Sequence, residues 1–169
     1  MEGDMGSRLL GTCLLSVCVL TMSVSCDARK QPSDGITSFE KDDAGMNSAI
    51  SQARSTVDHF ITRLNAPVTD DDMVSVKIAM ATTDGSFEHI WCDGVVFREG
   101  TFTARIANEP RDKQYVYGQQ VTAKSGEISD WMFVENRKLV GGYTVRYMYS
   151  QMSATEKADF LRAVPFALE

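Results

Sequence analysis

The chain has 169 residues, with 43% hydrophobic and 24% charged side chains, 12 Gly and only 4 Pro. That composition excludes collagen-like, coiled-coil, disulfide-dense and strongly disordered classes, and the length fits one domain. Lys+Arg number 17 against 23 Asp+Glu, a formal net charge of −6. Such a balance gives little long-range attraction for phosphate backbones, so nucleic acid is not expected as a partner.

Leu9 to Ser25 carries no charge, follows Arg8 and ends in small residues. A spanning helix needs roughly 20 mostly apolar residues, and this stretch is shorter. A basic start, apolar middle and small-residue end describe a secretory signal over residues 1–25. Glu2 and Asp4 are unusual there; a start at Met5 leaves a normal basic region. Ser23-Val24-Ser25-Cys26 resembles a bacterial lipobox, in which Cys26 receives diacylglyceryl and becomes the mature N-terminus, although lipoboxes usually carry Leu where Ser23 stands. The expectation is a cell-envelope lipoprotein, held on a membrane and facing the periplasm or the exterior. The alternatives are cleavage after Ser25 to give a secreted soluble protein, and a retained membrane anchor. Acyl chains contribute about 0.8 kcal/mol per buried CH₂ and hold such a domain unaided. Without residues 1–25 the chain keeps 16 Lys+Arg against 21 Asp+Glu, so anionic lipid does not attract it. Cys13 and Cys18 leave with the leader and Cys26 is acylated, so Cys92 has no disulfide partner.

Residues 26–43 are polar and aperiodic, a flexible tether before a domain at 44–169. Met46, Ala49, Ile50, Ala53, Val57, Phe60, Ile61 and Leu64 recur at helical spacing and predict one amphipathic helix. Asp42 or Asp43 caps its start and Asn65-Ala66-Pro67 stops it. From Asp72 the period becomes two. Val74, Val76, Ile78 and Met80 share one strand face, with Ser75, Lys77 and Ala79 on the other. Thr83-Asp84-Gly85-Ser86 turns the chain into a second strand, Phe87 to Phe97, kinked at Asp93-Gly94. Glu99-Gly100 leads to a third strand through Phe102, Ala104 and Ile106, and Asn108 to Asp112 is a loop. Strands follow near Gln119 to Ala123, Trp131 to Glu135 and Leu139 to Tyr149, the last with a bend at Gly141-Gly142. Ser153-Ala154-Thr155-Glu156 is a capping box that opens a short helix with Phe160, Leu161 and Val164 as its buried side. The fold class is α+β: an antiparallel, strongly bent sheet or small open barrel of about six strands, with the two helices at its ends.

Four stretches carry a family resemblance: Phe87-Glu88-His89-Ile90-Trp91, Gly100 to Pro110, Ile128-Ser129-Asp130-Trp131-Met132-Phe133-Val134, and Lys138-Leu139-Val140-Gly141-Gly142-Tyr143-Thr144. With the Met152-Ser153 helix start they resemble the YegJ-like family, a bacterial domain of unknown function. The resemblance runs from Met73 to Phe166 and implies no activity or catalytic residue. The family usually carries Gly at Ala104, Tyr at Phe133, and Asp-Gly or Asn-Gly at Asn136-Arg137. A type I′ turn at that hairpin would put Arg137 at positive φ, at a cost of roughly 1 kcal/mol.

Little in the chain points to chemistry. His59 borders the apolar stripe of the first helix and reads as a helix-flank residue. His89 shares a strand face with Phe87, Trp91 and Asp93, while Glu88, Ile90 and Cys92 leave the other, so parity undercuts a Cys92–His89 dyad. Cys92 reads as a small buried hydrophobe. His89, Asp93 and Glu88 are too few for a tight metal site, so no metal is expected, and without a Gly-rich phosphate cradle no cofactor is either. Asn108, Glu109, Asp130 and Trp131 have two readings: Asx-type caps beside a core ring, or an aromatic-floored groove for a ligand. Tyr115, Tyr117, Tyr143, Tyr147 and Tyr149 read as strand residues, in the core or in an exposed aromatic patch. The leading expectation is a noncatalytic binding module for an envelope protein or small ligand, with His89, Trp91, Asp93, Asn108, Glu109, Asp130 and Trp131 as candidate groove residues. The alternative is an envelope hydrolase using Glu109 with Asp130, or His89 with Asp93, as acid and base. An immunity or inhibitor protein, suggested by the acidity alone, stands third.

Overall fold

Two periods in the sequence, 3.6 and then 2, become one helical layer and one sheet in the computed structural model, which describes residues 43–66 and 73–168. The leader, Cys26 and residues 26–42 of the tether lie outside the described residues, as do Asp42 and Pro67.

Six antiparallel strands lie in the order β4-β3-β2-β1-β5-β6. They are β1 (Val74–Ala81), β2 (Phe87–Arg98), β3 (Thr101–Ile106), β4 (Gln120–Lys124), β5 (Ile128–Glu135) and β6 (Lys138–Gly141). β4 and β6 stand at opposite ends, so the sheet is open rather than closed into a barrel. The kink foreseen at Asp93-Gly94 is a register shift between Asp93 and Val96, with Gly94 at φ 63. The hairpin between β5 and β6 has Asn136 at φ 50 and Arg137 at φ 63, the two positive values of a type I′ turn.

The helical stripe is real but broken: α1 runs Ala44–Ser55 and α2 Val57–Leu64. Asp43 caps α1 by accepting from Met46 N at 2.8 Å. The break has a local and a distant cause. The Thr56 hydroxyl donates to the Gln52 carbonyl at 2.8 Å, the back-bond that bends helices. Trp131 Nε1 on β5 donates to the Ala53 carbonyl at 2.8 Å, which occupies an acceptor in the last turn of α1.

Both helices lie on one sheet face. Phe60 stacks between Phe102 (centroids 6.0 Å) and Trp131 (5.4 Å). Around them Val76, Ile78, Ile90, Cys92, Ala104, Ile106 and Phe133 are buried, which is the expected parity for β1, β2 and β3. Arg54 Nε donates to the Ile128 carbonyl at 2.8 Å and ties α1 to the start of β5.

Beyond Val140 the expected strand ends early. The chain leaves β6 at Gly141 and becomes α3 (Tyr143–Gln151), so Tyr143, Tyr147 and Tyr149 are helical rather than strand residues. Gly141 and Gly142 take φ 73 and 63, and Gly142 N donates to the Trp131 carbonyl at 2.8 Å. That left-handed pair turns an extended chain into a helix. The capping box at Ser153 and Glu156 opens α4 (Ala154–Ala163) as expected. Its apolar side is less covered than expected: Leu161 is 43% exposed, and Phe160 and Val164 are half-buried. α4 packs through Phe160 on Tyr149 of α3, with ring centroids 5.6 Å apart, and Tyr149 is itself half-buried. After it, Ala167 forms a bridge to Lys138 at the outer side of β6.

Candidate functional site

With α1 and α2 on one face, the other face of the sheet carries the alternate residues of each strand. On β2 these are Phe87, His89, Trp91 and Asp93, exposed except for the half-buried Trp91. Pairing registers set their neighbours: Asp93 lies between Ser75 and Arg105, Trp91 beside Lys77, and Lys77 beside Asp130. Trp91 is held by its main chain, its N–H donating to Asn108 Oδ1 at 3.1 Å and its carbonyl accepting from Ala107 N at 2.9 Å. Lys77 Nζ lies 5.3 Å from the centre of the Trp91 ring.

Asp130 and Trp131 fall on opposite sides of β5, as parity requires. Trp131 is a core ring, 1% exposed. Asp130 is fully buried and accepts from Trp131 N (2.8 Å), Tyr143 N (3.1 Å), Thr144 N (2.8 Å) and Thr144 Oγ1 (2.6 Å). Gly142 stands at the N-cap of α3 and has no side chain to offer, so a carboxylate from β5 takes the first amides of the helix. Lys77 Nζ reaches Thr144 Oγ1 at 3.4 Å, which completes a chain from amine to hydroxyl to carboxylate. Burial pushes the Asp130 carboxyl above the usual carboxylate range, against the pull of Thr144, Trp131 and Lys77. Burial likewise lowers the Lys77 ammonium, against the pull of Asp130. Sequence reasoning missed Lys77 and Thr144 in this chain. A cap that arrives from a strand leaves no local motif; the one available signal is a lysine at the centre of the polar face of β1.

The other candidates stand apart. Glu109 is exposed on the loop after β3, 3.4 Å from Lys113, while Asp130 is interior, so the two do not face one opening. His89 and Asp93 share a face but lie four positions apart on a strand, roughly 13 Å at 3.3 Å per residue. Glu88 points into the protein, 4% exposed, and accepts from Arg111 N at 2.9 Å and Asp112 N at 3.1 Å. Among the described residues no three of His, Cys, Asp and Glu converge as metal ligands do. Cys92 is buried and has no disulfide partner among the described residues, and burial followed by the nearby Asp93 charge pushes its thiol up to about 12. His59 lies on α2 with its ring edge-on to Trp131 and Phe133, both at 5.8 Å. Partial burial, then Lys77 and Arg54, lower the His89 imidazole below an ordinary histidine. At the bulge end of the open face, Asp93, Arg105 and Tyr117 border an open groove of about 290 Å³.

Residues 43–167 match the family model described as an uncharacterized protein conserved in bacteria, DUF2314. The chain belongs to this family. It is 37% identical over 132 residues to the uncharacterized protein YegJ of Escherichia coli K12, covering 78% of this chain and 84% of that one. An ankyrin repeat protein of Neisseria meningitidis serogroup B is 32% identical over 128 residues, 71% of this chain and 51% of that protein. No solved structure matches.

Proposed function

We propose that this DUF2314 domain is a noncatalytic binding module, held in the bacterial cell envelope by lipid on Cys26, whose open sheet face meets another envelope protein or a small ligand. The observation that supports it is the exposed run along β2. α1 and α2 cover one face of the sheet and the start of α3 covers Asp130 on the other, while Phe87, 59% exposed, stays open in line with His89, Trp91 and Asp93. Contiguous exposed apolar surface is where proteins meet partners and ligands. The acid–base pairs of the hydrolase reading do not meet, since Asp130 spends its acceptors on α3 and His89 and Asp93 lie too far apart along β2. Envelope location rests on the leader and its small-residue approach to Cys26.

A photo-crosslinking amino acid at position 87 or 91 of the full-length chain in intact bacteria tests this reading. One discrete adduct from those positions, absent from position 162 on α4, is expected, together with palmitate labelling that disappears in Cys26→Ser. Adducts that are equal from both sides of the domain, or labelling that survives the substitution, would contradict it.

A further inference from the structure

We propose that the groove at the β2 bulge binds a free α-amino acid, its carboxylate on Arg105 and its ammonium on Asp93; this deepens the reading of the open face as a binding surface and rests on it. Asp93 and Arg105 stand directly opposite each other in the β2–β3 ladder. Side chains so placed have Cβ atoms about 4.5–5.5 Å apart, and opposite charges there ordinarily pair. Here no ion pair joins them. Asp93 accepts the Ser75 hydroxyl at 2.5 Å through Oδ1, and Arg105 has no hydrogen bond or ion pair among the described residues. Both line the groove, Arg105 with its guanidinium unpartnered among those residues and Asp93 with one carboxylate oxygen beyond its bond to Ser75.

The surroundings suit a small guest. The main chain bulges at Gly94 (φ 63) and turns at Gly118 (φ 76), and at neither would a Cβ meet anything within 4 Å. Backbone is thus open to a ligand on both sides of the charged pair. Tyr117, 63% exposed, borders the same groove and offers a ring face to an apolar side chain.

Charge and spacing select the ligand. A simple anion drawn to Arg105 meets the Asp93 carboxylate, and a simple cation drawn to Asp93 meets the guanidinium. A molecule that satisfies both carries both charges. The ends of even a dipeptide lie about 7 Å apart at 3.3–3.6 Å per residue. In an α-amino acid the ammonium and carboxylate share one carbon, so one small molecule can meet side chains of two residues that stand opposite each other in one ladder. The guanidinium takes the carboxylate through parallel N–H donors. Because both protein charges are solvated, affinity is expected in the millimolar range.

The test is a titration of phenylalanine into the full-length ¹⁵N-labelled chain, read at the amides of Asp93, Gly94, Arg105 and Gly118. N-acetylphenylalanine, which lacks the ammonium, and phenylalaninamide, which lacks the carboxylate, serve as single-charge probes. Saturable shifts with phenylalanine are expected, with each analogue weaker by about tenfold or more, the loss of one charge-assisted contact. Arg105→Gln should abolish the shifts, and Asp93→Asn should erase the preference for phenylalanine over its N-acetyl form. Both side chains are exposed, and unchanged amide positions elsewhere will show that the variants fold. Equal responses to all three compounds, which a ring contact with Tyr117 alone would produce, overturn the proposal. So does the absence of any shift at about 50 mM. A silent titration with crosslinking from position 87 retained removes the amino-acid site and leaves the contact face standing. Loss of crosslinking with the titration intact does the reverse.

Discussion

Asp130 and Thr144 are bonded twice at the start of α3: the carboxylate Oδ2 accepts from the Thr144 amide at 2.8 Å and from its hydroxyl at 2.6 Å. The same hydroxyl accepts from Lys77, so strand β1, strand β5 and helix α3 meet through one oxygen atom. Removing the carboxylate orphans three buried or half-buried amides and a hydroxyl. Asp130→Ala should therefore lower the unfolding free energy by about 3–5 kcal/mol in chemical denaturation. Thr144→Val, which keeps the amide bond, should cost about 1–2 kcal/mol. A loss under about 1 kcal/mol for Asp130→Ala would show that the cap does not hold α3.

The β5–β6 hairpin holds Arg137 at φ 63, where glycine is at ease and a side chain is strained. Arg137→Gly should stabilise by about 0.5–1 kcal/mol and raise the melting temperature by a few degrees. An unchanged or lower melting temperature counts against the type I′ turn.

Two glycines at similar positive φ should respond differently to alanine. Gly85, at φ 81, has nothing within 4 Å of a Cβ position, so Gly85→Ala should cost only the backbone strain of about 1 kcal/mol. At Gly141 a Cβ collides with the Trp131 carbonyl and ring, and Gly141→Ala should cost at least twice as much. Equal melting temperatures for the two variants would mean that the strand-to-helix turn tolerates a side chain.

His89 should titrate below 6.5, with partial burial as the largest cause and Lys77 as the next. The unfolded imidazole then binds protons more readily than the folded one, so stability falls as pH drops from about 6.5 through the folded value. Lys77→Met should raise the His89 value toward 6.5, followed by imidazole NMR resonances. A value at or above that of an ordinary histidine in the parent protein would refute the Lys77 contribution.

The Cys92 thiol, buried and pushed up to about 12, should resist thiol reagents at neutral pH until the protein unfolds. Labelling rates measured against denaturant should follow global unfolding, whereas rapid labelling of the native protein would place Cys92 at an opening.

Strand parity was legible because it depends on neighbours two residues apart: Val76, Ile78, Ile90 and Cys92 are buried where alternation puts them. The turn at Asn136-Arg137 follows from the family resemblance, with Asp-Gly or Asn-Gly usual at that hairpin, rather than from alternation, and its two positive φ values meet the type I′ condition. What escaped were effects with a distant partner. Thr56 sits in an unbroken apolar stripe, and the α1–α2 break is completed by Trp131 at a separation of 78 positions in sequence between donor and acceptor. Val145 and Tyr147 extend a plausible strand, yet two left-handed glycines and a carboxylate from β5 make that segment a helix. In the candidate site, the shared face of His89, Trp91 and Asp93 followed from parity, whereas Lys77 and Arg105 entered through strand register, which a single sequence does not encode locally.

Hydroxyl-radical footprinting of the full-length chain, in native membranes and after purification, tests the contact face most directly. The account predicts that Phe87, His89 and Trp91 oxidise more slowly in membranes than in the purified protein, while Leu161 on α4 is unchanged. Equal oxidation of the three aromatic positions in both preparations would contradict it.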